Sequence, residues 1–303
     1  MGIFFPENLQ NRKDIKTMNR TKHKILSVFL SFCMIISCMV GMSVTASAGT
    51  STYTSLLPSD TDDADALAEK VVHFNNMDWY IIKDESTAAN AGTLTLLAKE
   101  DFTTSNFADS RTNSYNASSI KSYLDDLTTT GSFASVAEAI VPITLTTYAY
   151  QSTDVSETTE NAKLYLLSVS EAKEVPEIVR KHSTQWWLRT PGNPGSYEPS
   201  YMAANVDTNG SVYESGKYYY ESAAVRPALQ LDLSKVVFDS DTKTFIIPTW
   251  FIGAENEEDV KAYLTGEGDD KTLHIVGTGA MKDFGQSDRP WFNDNETPNP
   301  ADS

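Results

Sequence analysis

Cysteine is scarce in this chain of 303 residues, which contains only Cys33 and Cys38. Both lie within residues 1–48, so a chain that loses this segment has no cysteine left. In that case disulfide bonds, cysteine nucleophiles and thiolate metal sites are all excluded.

Basic residues are also few, because 24 Lys and Arg stand against 41 Asp and Glu, a net charge of −17. Residues 1–48 hold six of the basic and two of the acidic side chains, so the rest of the chain carries 18 against 39, a balance of −21. Such an acidic surface repels nucleic acids and anionic membranes. We therefore expect no nucleic-acid partner, and the charge leaves calcium open as a bound ion.

Common catalytic and metal-binding motifs are missing as well. The sequence has no G-x-S-x-G, no H-E-x-x-H and no phosphate-binding glycine loop. His73, His182 and His274 are far apart and lack the spacing of metal ligands. The acidic run from Asp60 to Asp65 lacks the glycine and closing glutamate of an EF-hand loop, so it is interpreted as a solvated charge run. The sequence thus predicts no catalytic residue, no metal site and no cofactor, calcium excepted.

The first 48 residues have the organisation of an export signal. Residues 18–24 are basic, residues 25–45 are apolar and uncharged, and Ala46-Ser47-Ala48 is an A-x-A cleavage site. Met18 is an alternative start of the chain. The pattern predicts cleavage after Ala48 and a secreted protein.

Two other interpretations of this leader stay open. Residues 25–45 are long enough to remain as a membrane anchor, and Cys38 follows a loose lipoprotein box and could be lipidated. In either case the leader would attach the protein to the cell surface, and it is the only link to a membrane that we expect. Because secreted proteins of disulfide-building systems usually keep some cysteines, an exported chain without them indicates a bacterial source.

Composition divides the rest of the chain into three parts. Residues 49–65 are rich in Ser, Thr and Asp and are interpreted as a linker. Residues 66–248 contain many short strand patterns and two or three amphipathic helices, which predicts an α+β domain of mostly antiparallel strands. Residues 249–303 are a further β segment.

Local signals place several elements of the central part. Hairpin turns are predicted at Asn75-Asn76 and at Asp207–Gly210. Helices are predicted over Ser118–Leu127, over Ser132–Ile140 and after Ser168, where Glu171 completes a capping box. A strand is predicted over Leu164–Leu167.

Residues 185–233 organise the domain. The stretch begins with Trp186-Trp187, whose side chains face opposite sides of a strand, so at least one is expected in the core. It ends with an alternating apolar strand over residues 225–231. Pro227 in that strand lacks a backbone donor and is expected at an edge or at a strand start.

Three motifs in this stretch resemble the hallmark of a bacterial family, the domain of unknown function 6273. They are Trp186-Trp187-Leu188-Arg189-Thr190-Pro191-Gly192, Asn209-Gly210 and Val225-Arg226-Pro227-Ala228-Leu229. The resemblance extends over about residues 71–233 and implies an exported or surface protein. It also implies structural roles for the motif residues Trp187, Arg189, Gly210, Arg226 and Pro227.

The same pattern resembles the C-type-lectin-like superfamily, which includes sugar and protein binders and formylglycine-generating enzymes. This second resemblance implies a C-type-lectin-like fold for residues 66–248 and an extracellular glycan or protein as partner. An enzyme of the formylglycine-generating kind would need its active-site cysteines, and the chain after residue 48 has none.

The tail resembles the segment that opens leucine-rich-repeat arrays in bacterial surface proteins. The residues that carry this resemblance are Thr272–Met281 and Arg289-Pro290-Trp291. No repeat follows them, so the tail is interpreted either as a cap of the domain or as a truncated array. A structural module of a larger cell-surface protein is therefore an alternative function.

The candidate ligand contacts are six tyrosines of loops and hairpin ends: Tyr197, Tyr201, Tyr213, Tyr218, Tyr219 and Tyr220. Tyrosine supplies a large contact area at low entropy cost, and sugar rings stack on its face. Ordinary strand aromatics are the alternative, since Tyr favours strands. Because successive strand side chains alternate between faces, at least one of Tyr218, Tyr219 and Tyr220 is expected to point outward.

Other side chains are weighed with them. Trp186 is a further candidate platform for a ligand. Asn205, Glu214 and Lys217 are expected to supply orienting hydrogen bonds. Arg189 and Arg226 could hold ligand carboxylates as bidentate forks, or could pair inside the structure. Together these features predict a secreted or surface-attached bacterial domain that binds a glycan or a protein and catalyses no reaction.

Overall fold

Short strands dominate the computed structural model of the protein, which describes residues 53–195, 201–265, 271–285 and 288–291. The predicted leader and Tyr197 lie outside these residues. The strands are β1 Val71–Phe74, β2 Met77–Ala88, β3 Ala91–Ala98, β4 Thr103–Asn106, β5 Ile143–Tyr148, β6 Val155–Ala162, β7 Leu164–Tyr165, β8 Trp186–Pro191, β9 Met202–Val206, β10 Val212–Tyr218, β11 Ser222–Val225, β12 Ala228–Asp232, β13 Val237–Asp239, β14 Thr244–Ile246, β15 Trp250–Phe251, β16 Val260–Thr265 and β17 Thr272–Gly277.

Helices are fewer and shorter than the strands. The α-helices are α1 Ala64–Ala68, α2 Ser119–Thr129, α3 Val169–Glu174 and α4 Glu177–Arg180. Short 3₁₀ helices cover Thr54–Leu56, Ala134–Ala139, Leu233–Lys235 and Glu257–Asp259. Among the described residues, none of the helices has the length and apolar character to span a membrane. The content of many strands and few helices confirms the predicted α+β class.

Two sheets enclose the main core. The first has seven strands in the order β13-β14-β1-β2-β3-β12-β7, and the second has five in the order β10-β9-β8-β11-β4. In the first sheet β1 pairs in parallel with β14, so the first described strand lies beside one that comes late in the domain. A hairpin of β5 and β6 lies outside both sheets.

The hairpin of β1 and β2 turns at Asn75 and Asn76, as predicted. Their φ angles are 52° and 58°, and Phe74 pairs with Met77 across the turn. A two-residue turn of this kind needs positive φ at both positions, and asparagine tolerates that region better than most side chains. The local turn chemistry therefore sets the register of these strands.

The predicted strand over residues 225–231 is wrong, because it is two strands in different sheets. β11 ends at Val225 in the five-stranded sheet, and β12 begins at Ala228 in the seven-stranded sheet. Arg226 and Pro227 make the crossing, and the Pro227 carbonyl accepts a hydrogen bond from Ala98 N at 2.9 Å. The apolar alternation continues through the crossing because both strands face one core, so the pattern alone hides the break.

Two of the three helix predictions are confirmed at their starts. Ser118 caps α2, with its Oγ accepting from Lys121 N at 3.0 Å. Ser168 and Glu171 form the predicted capping box of α3. Two other predictions need correction: Ser132–Ile140 contains a 3₁₀ helix and not an α-helix, and the predicted strand Leu164–Leu167 is reduced to Leu164–Tyr165.

The predicted linker over residues 49–65 is wrong for the part that is described. Tyr53 is fully buried, and its ring contacts Phe238 and Phe245 with centroids 5.3 and 5.7 Å away. The Tyr53 hydroxyl donates to the Ala89 carbonyl at 2.7 Å, and burial raises its pKa to about 12. A single aromatic anchor therefore ties this Ser- and Asp-rich segment to the core, which composition alone does not indicate.

The described residues after 249 form a small sheet of β15, β16 and β17 with its own apolar centre at Ile252, Val260 and Ala262. Lys261 attaches this sheet to the main domain. Its Nζ is buried and donates to the carbonyls of Leu233 and Val236 at 3.2 and 2.9 Å. Burial lowers the pKa of Lys261, since the charged ammonium loses water there.

Candidate functional site

Four of the six candidate tyrosines meet at one end of the five-stranded sheet, where β9 begins and β10 turns into β11. We call this group the tyrosine surface: Tyr201, Tyr218, Tyr219 and Tyr220. Edge-to-face and stacked contacts join their rings into one chain. The structure thus brings Tyr201 together with three tyrosines that lie 17 to 19 positions later in the sequence.

Tyr218 and Tyr220 are the exposed members, with 42% and 57% of their surface accessible. Their rings are stacked, with centroids 5.3 Å apart and planes 7° from parallel. The turn below them is closed twice: Glu221 N donates to the Tyr218 carbonyl at 2.9 Å, and Tyr218 N donates to the Glu221 carboxylate at 2.8 Å. The hydrogen bonds of this turn therefore fix the backbone that carries the two exposed rings.

Tyr219 turns to the opposite side and packs against the main core. Its N–H donates to the Tyr201 carbonyl at 2.9 Å, and its carbonyl accepts from Phe107 N at 2.9 Å. Its ring meets Tyr220 edge-on at 5.2 Å. The expectation that three consecutive tyrosines cannot all face the core is confirmed, since two face out and one faces in.

A bulge in β10 directs the strand toward this turn. The register of β9 and β10 shifts between Tyr213 and Lys217. Gly216 has a φ of 76°, and a Cβ there would lie 2.1 Å from the Ala203 carbonyl oxygen. Only glycine fits this approach, and bulges of this kind re-aim the side chains that follow them.

The other candidate contacts do not join the tyrosine surface. Tyr213 is exposed, but it lies before the bulge, five positions from Tyr218. Trp186 is fully buried, so its proposed role as a ligand platform is wrong. Because the whole side chain is buried, no ring face is open to a ligand, and its Nε1 donates to the Arg180 carbonyl at 3.0 Å.

The three predicted polar neighbours of the tyrosines, Asn205, Glu214 and Lys217, also lie in different surroundings. Asn205 is buried and cannot meet a ligand at the tyrosines, and Glu214 forms an ion pair with Lys173. Lys217 lies at the edge of the surface and donates to Gln185 Oε1 at 3.0 Å. Lys217 and Glu221 are the charged side chains that adjoin the exposed rings.

Residues 92–233 match the model of a known family, described as a domain of unknown function (DUF6273). This segment of the chain belongs to the DUF6273 family. No curated protein and no solved structure matches the chain.

The DUF6273 segment begins within β3 and ends just after β12. It contains the whole tyrosine surface and the whole five-stranded sheet. Four strands of the seven-stranded sheet lie wholly outside it, namely β1, β2, β13 and β14. The segment that defines the family is therefore completed on one side by strands from its flanks.

The two motif arginines of DUF6273 are structural. Arg189 is buried and forms the bidentate pair with Glu171 that its fork geometry suits, and it also donates to the Leu166 carbonyl at 2.8 Å. Burial alone would raise the pKa of Glu171, but the hydrogen bonds and charge of Arg189 outweigh it and lower that pKa. The alternative of a ligand carboxylate on Arg189 is not needed, because a carboxylate of the chain takes that place.

Arg226 is fully buried between backbone carbonyls. Its Nε donates to Ala98 O at 2.6 Å and its Nη1 to Val179 O at 2.8 Å, and its guanidinium lies 5.3 Å from the Trp186 ring. Burial lowers the pKa of Arg226 to about 10, a value at which the group is still charged at neutral pH. Arg226 thus ties the end of β3 to the end of α4.

Gly210 of the Asn209-Gly210 motif also has a structural role. It closes the turn between β9 and β10 with a φ of 90°. A Cβ there would lie 2.9 Å from the Glu177 carbonyl oxygen of α4. The turn therefore packs directly on α4, and glycine allows that approach.

An open cleft of about 600 Å³ lies beside α1, away from the tyrosine surface. Its polar wall consists of His73, Asp78 and Lys99, which bind one another: Asp78 accepts from Lys99 and pairs with His73, both at 2.9 Å. Burial would raise the pKa of Asp78, but Lys99 and His73 lower it. Because these charges are mutually satisfied, the cleft offers a ligand less than the exposed rings do.

A second polar group within DUF6273 was not indicated by the sequence. The side chains of Glu100, Asp101 and His182 converge, with one ligand-type atom of each lying within 4.8 Å of the others. The histidine stands more than 80 positions from the acids, so no local spacing could have shown the cluster.

Proposed function

We propose that this protein is an exported bacterial domain that binds an extracellular carbohydrate through Tyr218 and Tyr220, without catalysing a reaction. The observation that carries the proposal is the exposed, stacked pair of rings on a hydrogen-bonded turn. Aromatic faces of this kind give sugar rings an apolar surface to stack on, and the tyrosine hydroxyls add hydrogen bonds at the rim.

Rigidity supports this assignment. An exposed side chain that is mobile loses conformational entropy when a ligand fixes it, and that loss weakens binding. Here Tyr218 and Tyr220 support each other, Tyr219 anchors the same turn to the core, and Glu221 closes it. The surface is thus organised before any ligand arrives.

Polar groups beside the rings can orient a bound ligand. Lys217 and Glu221 place one positive and one negative side chain next to the stacked pair, and each also holds the local backbone or a neighbouring strand. A mixture of apolar faces and a few oriented polar groups is what a specific ligand site needs. The acidic character of the whole chain favours a neutral sugar over an anionic one.

The fold and location belong to the same proposal. We infer a C-type-lectin-like fold, supported by two sheets of short strands and by the pairing of β1 with β14, which joins early and late parts of the domain. Export or surface attachment is supported by the basic segment, the apolar segment and the A-x-A site of residues 18–48.

A glycan array probed with the purified protein tests the proposal. Binding to a carbohydrate class is expected, and the Tyr218→Ala/Tyr220→Ala variant should raise the Kd at least about fivefold, a loss of about 1 kcal/mol, because the stacking faces are removed. Isothermal titration with the best array glycan measures the change. The fold should stay intact, since both side chains are exposed.

Tyr148→Ala is the matched control, because Tyr148 is 44% exposed on β5 and belongs to no tyrosine cluster. It should bind like the parent protein. If the double variant binds the glycan as tightly as the parent, the site lies elsewhere. If no glycan binds and a protein ligand does, the carbohydrate assignment is wrong.

A further inference from the structure

Glu100, Asp101 and His182 lie at the opposite end of the β4–β11 pair from the tyrosine surface. Asp101 precedes β4 by two positions, and Tyr220 precedes β11 by two positions. The two antiparallel strands are four residues long, so about 10 Å of sheet separates the groups. Binding at this group can therefore be measured separately from binding at the tyrosine surface.

Among the three residues, His182 has the unsatisfied polar atom that indicates a ligand. Its side chain is only 6% exposed, and its Nε2 is buried without a hydrogen-bond partner among the described residues. The closest carboxylate oxygens, from Glu100 and Asp101, are each 3.8 Å away. That distance is too long for a hydrogen bond, so the nitrogen faces two carboxylates and bonds to neither.

The other groups around this nitrogen are arranged to leave it available. His182 Nδ1 lies 3.2 Å from both the carbonyl oxygen and the Oγ1 of Thr184, and Thr184 N lies 3.3 Å from it, so Thr184 holds this side of the ring. In the tautomer that carries its proton on Nδ1, the lone pair of Nε2 is directed at the carboxylates. A backbone partner on the far nitrogen is the usual orientation of a metal-bound histidine. Asp101 is oriented too, because its Oδ2 accepts from Thr104 Oγ1 at 3.3 Å and its Oδ1 faces His182.

Both loops that carry the group are fixed. Phe102 N donates to Val225 O at 2.9 Å, and Ala224 N donates to Gln185 O at 2.8 Å. Arg226 ties the end of β3 to the end of α4 from below, through Ala98 and Val179. The three side chains therefore project from a supported base, and the 69% exposure of Glu100 leaves a way in from solvent.

The chemistry of the three side chains also favours a cation. Glu100 and Asp101 place two carboxylates beside a histidine nitrogen, with Arg226 near both of them and Lys99 near Glu100. A nitrogen with two carboxylate oxygens suits zinc and similar transition ions, whereas calcium prefers oxygen alone.

We propose that Glu100, Asp101 and His182 form a binding site for a divalent transition-metal ion of the zinc type. Zinc bonds to such ligands are about 2.0–2.2 Å long, which places the ligand atoms about 3–3.5 Å apart. His182 Nε2 lies 3.8 Å from each carboxylate oxygen, and the three ligand atoms lie within 4.8 Å of one another, so an ion requires the three side chains to close by about 1 Å. Three protein ligands leave coordination positions for water. The bound ion would link the loop before β4 to the loop before β8.

Titration of the tag-free, chelator-treated protein with ZnCl₂ tests the proposal. We expect one Zn²⁺ per chain and a rise in melting temperature. His182→Gln and Asp101→Asn should each weaken Zn²⁺ binding at least about tenfold, because each removes a ligand. CaCl₂ should bind at least about tenfold more weakly than ZnCl₂, because one ligand is a nitrogen.

His274→Gln is the matched control, since that histidine lies on β17, outside this group, and it should bind Zn²⁺ like the parent. If His182→Gln does not fold, Glu100→Gln decides, because its exposed side chain can change without loss of packing. The proposal is overturned if the parent binds no Zn²⁺, if the foldable cluster variants bind it as tightly as the parent, if His274→Gln loses as much affinity, or if Ca²⁺ binds as well as Zn²⁺.

Discussion

Trp187→Ala is expected to lower the free energy of unfolding by about 3–5 kcal/mol, the range for removing a large buried aromatic side chain. Trp187 has no exposed surface and lies in β8, the middle strand of the five-stranded sheet. Its ring meets Phe107 edge-on at 5.5 Å, and its Nε1 donates to the Ser105 carbonyl at 3.0 Å. The change leaves a cavity and removes this donor from the Ser105 carbonyl. Urea unfolding at neutral pH measures the loss.

Val155→Ala is the control for this variant, because Val155 is 57% exposed at the start of β6. Surface changes of this kind shift stability by less than about 0.5 kcal/mol. An unfolding curve of Trp187→Ala that coincides with that of the parent would mean that Trp187 is not in the core, and the tryptophan pair would again be open as a ligand platform.

Arg189→Met is expected to cost about 3 kcal/mol of stability. It removes the bidentate bond to Glu171 and leaves the Leu166 carbonyl without its donor. Breaking a buried ion pair by removing one partner typically costs about 3–5 kcal/mol. We expect the lower end, because Glu171 is 38% exposed and water can partly replace the arginine.

The Arg189–Glu171 pair should make the stability difference between the parent and Arg189→Met depend on pH. The pKa of Glu171 is lowered in the folded protein from its ordinary 4.5, because Arg189 outweighs the effect of burial. A carboxyl group with a lowered pKa contributes stability above the unfolded value and loses it as the pH falls through the folded value. The gap between parent and Arg189→Met should therefore narrow as the pH is lowered below 4.5, measured by urea unfolding at each pH.

Lys83→Met is the matched control, since Lys83 forms an exposed pair with Glu85, and such pairs contribute about 0–1 kcal/mol. If Lys83→Met costs as much as Arg189→Met, burial is not what gives the Arg189 pair its effect. A gap between Arg189→Met and the parent that stays constant at low pH would exclude Glu171 as the partner that matters.

Local chemistry could be predicted from the sequence where a few adjacent residues decide the structure. The Asn75-Asn76 turn, the Ser118 cap and the capping box of Ser168 with Glu171 are all of this kind. Each depends on backbone groups within four positions. The pairing of that same Glu171 with Arg189 could not be predicted, because it depends on how α3 packs against β8.

The incorrect sequence-based predictions share one cause: composition and periodicity carry no information about tertiary packing. Tyr53 anchors a segment whose other residues are typical of a linker. Residues 225–231 keep their alternation while the chain passes from one sheet to the other. Trp186 is covered by Arg226, which the alternation of side chains along β8 does not indicate.

The candidate site was predictable in part. Alternation required an outward tyrosine among Tyr218, Tyr219 and Tyr220, and two are found. Which residues face out is set by the turn that Glu221 closes and by the bulge at Gly216, both of which need the fold. No sequence motif indicates the group of Glu100, Asp101 and His182, because their approach depends on two loops that are distant in the sequence.

Fluorine NMR of the protein labelled with fluorotyrosine, titrated with the best array glycan, tests the tyrosine surface most directly. The signals of Tyr218 and Tyr220, assigned through single Phe substitutions, are expected to move until the site saturates. Those of the buried Tyr53 and Tyr115 should stay in place. Saturable binding with shifts confined to tyrosines outside the tyrosine surface, or with no shift of Tyr218 and Tyr220, would contradict the assignment of the ligand to these rings.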